Sequence, residues 1–165
     1  MTSEHLLHTI PPIYDGNSKI LILGSFPSVK SREASFYYGH PQNRFWRVLA
    51  AVLGCAVPSS NEEKTALLQS HNIALWDVIK SCDIVGSSDS SIKNVVPNDI
   101  GVILSSCGIR QIYSNGKTSE KLFNKYIKDT VGRDTVALPS TSPANASYNL
   151  ERLTDSWSVI KNNIR

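Results

Sequence analysis

The amino-acid sequence predicts an α/β fold: a three-layer α/β/α sandwich with a mainly parallel four-stranded sheet. Four short runs are apolar on both faces, which is typical of parallel strands buried between helices. Amphipathic segments with helical spacing lie between these runs, and this alternation of strand and helix favours an α/β fold. The length of 165 residues suits one domain, so we expect residues 1–165 to form a single domain.

Each predicted strand is a short apolar run, and the four runs comprise residues 19–23, 73–79, 109–114 and 135–138. Gly24, the dipeptide Asn115-Gly116 and Pro139 follow three of the runs, and such residues end strands because they favour turns. Amphipathic spacing predicts the helices, which comprise residues 45–53, 62–69, 119–128 and 150–160. Thr118 or Ser119 is a candidate N-cap for the third helix.

Three segments that follow predicted strands are candidates for a ligand site. Residues 24–28, 114–118 and 139–145 are rich in small, polar and turn-forming residues. Because ligands bind at the carboxyl ends of strands in open α/β sheets, we expect the three segments to converge on one rim. Residues 86–91 are serine-rich, and we expect no more than a surface loop there.

Composition and charge permit some function classes and argue against others. The net charge of +3, from 17 Lys and Arg against 14 Asp and Glu, permits a nucleic-acid partner without arguing for one. Three widely spaced cysteines give neither a disulfide framework nor metal spacing, so we expect a reducing, cytoplasmic location and no metal. No apolar stretch approaches a membrane span, so we expect no membrane partner. No P-loop or dinucleotide fingerprint is present, so we expect no cofactor.

The most distinctive stretch is FYYGHPQNRFW at residues 36–46, which combines aromatic rings, a histidine, amides and an arginine. Aromatic faces can stack on a nucleobase, which contributes about 1–3 kcal/mol per base. An amide can read a base edge or hold a water. The structural alternatives are that Phe45 and Trp46 belong to the core and that Asn43 caps the following helix.

Two motifs together resemble the uracil-DNA glycosylase superfamily, namely ILGSFPS at residues 22–28 and YGHPQNRFW at residues 38–46. The whole pattern is most similar to the DNA-deoxyinosine (hypoxanthine-DNA) glycosylases. Residues 115–117 and 138–145 resemble later motifs of the same group. The resemblance therefore covers most of the chain.

The resemblance implies a monofunctional DNA glycosylase that flips a deaminated base out of DNA and hydrolyses its N-glycosidic bond in base excision repair. Hypoxanthine is the favoured base and uracil the second. The implied partner is DNA, without a cofactor, and we expect a monomer. Two alternatives stay open: an N-glycosidase acting on free nucleosides, and a non-enzymatic module that binds lesions. The preference for single- or double-stranded DNA also stays open.

The resemblance implies that Asn43 is the catalytic residue. In many relatives the third residue of the first motif is an Asp or Asn that positions the attacking water, but here that position is Phe26. In the hypoxanthine group the asparagine of the second motif takes this role, and it matches Asn43. The chemistry tolerates an amide, because an oxocarbenium-like transition state needs charge stabilisation and a water rather than a strong nucleophile.

The resemblance also assigns a group that contacts the base, comprising Gly24, Ser25, Phe26, Tyr38, His40 and Asn115. A second group contacts phosphates or presses into the gap left by the base, and comprises Ser28, Lys30, Lys117, Ser140, Thr141, Ser142, Pro143, Ala144 and Asn145. The structural alternatives are that Asn115 only forms a turn, that His40 is structural, and that the 140–145 loop is an ordinary one.

Overall fold

A computed structural model describes residues 2–165. The strands in this part of the chain are β1 (Glu4–Leu7), β2 (Ile20–Gly24), β3 (Ile73–Asp77), β4 (Ile79–Ile84), β5 (Lys93–Pro97), β6 (Gln111–Asn115) and β7 (Thr135–Leu138). The helices are α1 (Val29–Ala34), α2 (Phe45–Leu53), α3 (Asn61–Ser70), α4 (Gly101–Ser106), α5 (Lys117–Tyr126), α6 (Lys128–Val131) and α7 (Leu150–Trp157). Single 3₁₀ turns cover Asp89–Ser91 and Ser158–Asn162.

The central sheet has four parallel strands in the order β3-β2-β6-β7, which confirms the predicted α/β sandwich. Every residue of β2 is buried. Ile20 and Ile22 pack with α2 and α7 on one face. Leu21 and Leu23 pack with α4 and α5 on the other face. The alternation of side chains along one strand thus supplies both apolar layers of the sandwich.

The prediction of a single strand over residues 73–79 is wrong, because the chain leaves the central sheet at Val78. The Val78 N–H donates to the Gly24 carbonyl at 2.8 Å, and the Ile79 N–H donates to the Ser25 carbonyl at 3.1 Å. The buried Asn98 side chain donates to the carbonyls on both sides of the bend, those of Asp77 and Ile79. These hydrogen bonds hold the bend and place Asp77 at the end of β3.

A second, antiparallel sheet of order β1-β4-β5 was not predicted from the sequence. Its outer strands β1 and β5 are largely exposed and therefore lack the apolar runs that mark buried strands. The second sheet positions the N-terminal segment, because β1 pairs with β4. His8 comes directly after β1 in the chain and contacts Asp77 at the end of β3.

Two local predictions need correction. Strand β7 was expected to be buried, but Val136 and Ala137 are exposed because β7 is an edge strand. Helix α5 begins at Lys117 after Gly116, whose φ of 94° suits glycine, and not after a cap at Thr118 or Ser119. Ser119 is buried, and its hydroxyl donates to the Leu23 carbonyl at 2.7 Å. None of the helices within residues 2–165 is long and apolar enough to cross a membrane.

Candidate active site

A cavity of about 530 Å³ opens at the carboxyl ends of β2, β3 and β6. This is the place where open α/β sheets bind ligands. Residues from all three segments that follow predicted strands meet there. The residues singled out from the sequence that line the cavity are Gly24, Ser25, Phe26, Ser28, Tyr38, His40, Asn43, Asn115, Ser140, Thr141, Ser142, Pro143 and Ala144.

Three of the residues that the sequence predicts to contact DNA do not line the cavity. Lys30 is exposed on α1, with its Nζ 3.5 Å from the Glu33 carboxylate. Lys117 is the exposed first residue of α5. The Asn145 side chain donates to the Ser140 carbonyl at 3.0 Å and so shapes the loop from within.

Gly24 lies at the cavity floor, where two polar side chains come so close to its backbone that only a glycine fits. A Cβ at this position would lie 2.4 Å from Asp77 Oδ1 and 3.0 Å from the Tyr38 hydroxyl oxygen. Any side chain would therefore displace one of these two polar groups. Gly24 allows a carboxylate and a phenol to share the space above the end of β2.

Two hydrogen bonds fix the side-chain oxygen of Asn43. Its Oδ1 accepts the Phe45 N–H at 2.9 Å and the Thr141 hydroxyl at 2.9 Å. The first bond supports the start of α2, so the capping alternative describes part of what Asn43 does. Since Oδ1 is fully used, the Nδ2 group, which bonds to none of residues 2–165, is the part left for a ligand.

Thr141 connects Asn43 to Asn115. Asn115 Oδ1 accepts the Thr141 N–H at 3.1 Å, and Asn115 Nδ2 donates to the Thr141 hydroxyl at 3.0 Å. The Thr141 side chain is fully buried. Its hydroxyl accepts from Asn115 and donates to Asn43, so it links the two amides. Asn115 therefore ties the end of β6 to the 140–145 loop and keeps one Nδ2 hydrogen for another acceptor.

Arg44 holds the 140–145 loop, a role that was not predicted. Its guanidinium donates to the carbonyls of Ser142 at 2.9 Å, Asn145 at 3.1 Å and Tyr148. Its backbone N–H donates to the Thr141 carbonyl at 3.0 Å. Pro143 and Ala144 are left exposed at the rim of the cavity.

Tyr38 contributes a buried hydroxyl to the cavity rather than an open aromatic face. Its backbone has a φ of 53°, and its ring stacks on Phe45 with 4.1 Å between centroids. The hydroxyl has no hydrogen-bond partner among residues 2–165. Burial, together with the Asp77 carboxylate, holds the pKa of this hydroxyl well above its usual range. Tyr38 therefore stays protonated and keeps an O–H to donate.

Phe26 and His40 line the cavity with few polar contacts. The Phe26 ring meets the His8 ring edge-on at 6.0 Å, and the Arg32 guanidinium lies 5.7 Å from the Phe26 centroid. His40 Nδ1 accepts the Gln42 N–H at 3.1 Å, which orients its ring within its own turn.

The sequence did not predict the pair formed by His8 and Asp77. His8 Nε2 lies 2.7 Å from Asp77 Oδ2, and the two side chains are 2% and 5% exposed. Asp77 lines the cavity. The sequence did contain a sign that Asp77 is special, since it is the one carboxylate inside the apolar run IALWDVI. Carboxylates are rarely buried without a partner. No local pattern marked His8.

The serine-rich loop also reaches the site. Ser87, Ser88 and Asp89 are exposed, as expected of a surface loop, but they also line the cavity. Ser87 Oγ accepts the Val29 N–H at 2.9 Å, which ties this loop to the start of α1. The cavity thus has a wall that the sequence did not predict.

Comparisons with known proteins show the family of the chain. The model of the uracil DNA glycosylase superfamily matches residues 11–162. A hypoxanthine DNA glycosylase of Methanosarcina barkeri is 36% identical over 137 residues, which is 82% of this chain and 85% of that protein. One of Methanosarcina acetivorans is 34% identical over 152 residues, 91% of this chain and 94% of that protein.

A solved structure has the same fold. It is the solution NMR structure of a Methanosarcina acetivorans protein, described as a candidate uracil DNA glycosylase. The TM-score is 0.79 at 33% sequence identity, covering 93% of this chain and 95% of that one.

Proposed function

This chain belongs to the uracil DNA glycosylase superfamily, and from that premise we propose that it excises hypoxanthine from DNA, with uracil as its second substrate. Members of the family hydrolyse N-glycosyl bonds, and this chain is a DNA glycosylase. The Methanosarcina relatives named as hypoxanthine DNA glycosylases support hypoxanthine as the first substrate. The observation that carries the proposal is Asn43, held at the cavity by Phe45 and Thr141 while Phe26 occupies the usual water-positioning place.

In this mechanism the glycosidic bond breaks with positive charge on the sugar and negative charge on the departing base. Asn43 positions the attacking water through its free Nδ2 group, since its Oδ1 is already used twice. Backbone N–H groups at Gly24 and Ser25 stabilise the charge on the base, as preorganised donors do in other enzymes. No residue has to act as a covalent nucleophile.

The DNA is held around the same opening. Ser140 and Ser142 place small hydroxyls at the cavity wall, where they contact phosphates. The Ser28 hydroxyl also lies at this wall, but it caps α1, where it accepts the Ser31 N–H and donates to Ser31 Oγ. Lys30 and Lys117 are exposed outside the wall and add sequence-independent attraction to the backbone. The protein acts as a monomer of one domain, residues 1–165.

The proposal is tested with labelled duplexes that carry one hypoxanthine or one uracil, followed by alkaline cleavage of the abasic product. We expect cleavage at hypoxanthine, slower cleavage at uracil, and no hydrolysis of free inosine. Hydrolysis of free inosine without salt-sensitive DNA binding would favour a nucleosidase. Lesion binding without cleavage would favour a non-enzymatic module.

The exposed Pro143-Ala144 tip is expected to fill the gap left by the extruded base. Replacing both residues with glycine should slow excision from a well-paired duplex more than excision from single-stranded DNA, because extrusion from a paired duplex costs a few kcal/mol. Single-turnover rates on the two substrates measure the difference. Equal losses on both would show that the tip does not serve extrusion.

A further inference from the structure

Arg152 is an exposed arginine in the first turn of α7. The Asn149 side chain accepts its backbone N–H at 2.8 Å, but the guanidinium forms no salt bridge with any residue from 2 to 165, including Glu151 in the same turn. The dipole of a helix favours negative charge in its first turn and disfavours a cation there. A cation that the chain itself leaves unneutralised at this place indicates an anion from outside the chain.

The Arg152 guanidinium is held in place while most of its donors stay open. It lies over the Tyr148 ring, with its central carbon 4.1 Å from the ring centroid, and its Nη1 donates to the Ser147 carbonyl at 3.2 Å. A guanidinium has five N–H donors, so this one bond leaves the others for a ligand. The Arg44 guanidinium is different, because it is committed to three carbonyls of the same chain.

The stack of Arg152 on Tyr148 lies beside the opening of the cavity. The Tyr148 carbonyl accepts from the Arg44 guanidinium, which also holds the Ser142 carbonyl at 2.9 Å. Because Ser142 lines the cavity, only the width of one guanidinium separates the Tyr148 backbone from the cavity wall. Side chains in an α-helix point toward the N-terminus of the helix, so Arg152 leans toward the 140–145 loop.

We propose that Arg152, stacked on Tyr148, binds a DNA phosphate next to the gap left by the extruded base. The inference rests on the proposed function, in which the exposed Pro143-Ala144 tip of the loop enters that gap and brings the DNA backbone to this rim. A planar guanidinium can donate to two phosphate oxygens at once, and the stack fixes its position before DNA binds. Such a contact holds DNA at the tip without reading its sequence.

The test measures binding to a duplex with one uncleavable abasic analogue over a series of salt concentrations. Arg152→Gln should weaken binding roughly fivefold or more at about 0.1 M salt, and should lower the slope of log Kd against log salt by about 0.9, as expected for the loss of one phosphate contact. Lys161→Gln is the matched control, because it removes the same charge from the exposed 3₁₀ turn after α7. That turn lies at the other end of the sheet from the cavity, since the nearby Ile164 carbonyl accepts from Asn72, just before β3. The control should keep the wild-type slope.

Neutral methylphosphonates then locate the phosphate and show which strand carries it. Each phosphate near the gap is replaced in turn, first in the lesion strand and then in the complementary strand. One replacement should weaken binding of the wild-type protein but not of Arg152→Gln, because the two changes remove the same contact. Equal losses in both proteins at every position would overturn the inference, and so would a wild-type slope in Arg152→Gln.

Arg152→Lys tests the stack, because lysine keeps the charge but lacks the planar fork. This variant should keep the wild-type slope and bind DNA more weakly than the wild-type protein, and wild-type affinity would overturn the role of the stack. The single-turnover rate at saturating protein should stay at the wild-type value, since the contact serves binding. If the wild-type protein bound the duplex but released no hypoxanthine, the proposed function would fail, and the binding data would still decide the inference.

Discussion

Replacing Asn43 with alanine is expected to slow the cleavage step by roughly two orders of magnitude or more, comparable to the loss of one preorganised polar group in an active site. The side chain is fixed by the Phe45 N–H and the Thr141 hydroxyl, so its free amide group is aimed before substrate binds. Affinity for DNA should change little, because phosphates supply most of it. Single-turnover excision of hypoxanthine and equilibrium DNA binding measure the two effects separately.

Companion variants separate catalysis from folding. Asn43→Asp retains an oxygen for both hydrogen bonds and can stabilise a cationic sugar, so it should keep more activity than Asn43→Ala. Thr141→Val removes the hydroxyl that orients Asn43 and should lose part of the rate, while Thr141→Ser should restore it. The lost bond to Phe45 costs about 1 kcal/mol of stability, so melting temperatures are compared in parallel. A wild-type rate in Asn43→Ala would rule out this mechanism and direct attention to His40.

Replacing Arg44 with alanine is expected to lower the free energy of unfolding by about 3 kcal/mol, because hydrogen bonds from a charged donor each contribute about 1.5–3 kcal/mol. The guanidinium holds the carbonyls of Ser142, Asn145 and Tyr148 together. For a domain of this size such a loss lowers the melting temperature by roughly 6–12 °C. Excision from paired DNA should also slow, because the loop that carries Pro143-Ala144 is no longer held.

Arg47→Ala is the matched control, since Arg47 lies on the same helix but is exposed and makes only 3.4 Å contacts to two carbonyls. Its melting temperature should stay close to that of the wild-type protein. Arg44→Lys keeps the positive charge without the planar fork and should fall between Arg44→Ala and the wild-type protein. If Arg44→Ala melted like Arg47→Ala, the loop would be held by other contacts.

The elements predicted most accurately were those with a strong local signal. The apolar run that ends at Gly24 forms the buried strand β2. The amphipathic segment from Phe45 to Leu53 forms α2 with the predicted bounds. The segments after the strands meet at the cavity because parallel strands all end at the same edge of a sheet. Predictions failed where local sequence was ambiguous, as at Val78, where one apolar run contains both the end of β3 and the bend into β4.

The sequence by itself determined the α/β class and the strand ends that form the site, because periodicity and turn chemistry act over a few residues. Its resemblance to a known superfamily indicated Asn43. Only the tertiary structure decided that His8 meets Asp77 across 69 positions of the chain and that Arg44 holds a loop about 100 positions away. Such contacts depend on how β1 pairs with β4 and how α2 packs beside the loop. Their energy comes from burial and hydrogen bonding between distant segments, which no local pattern in the sequence encodes.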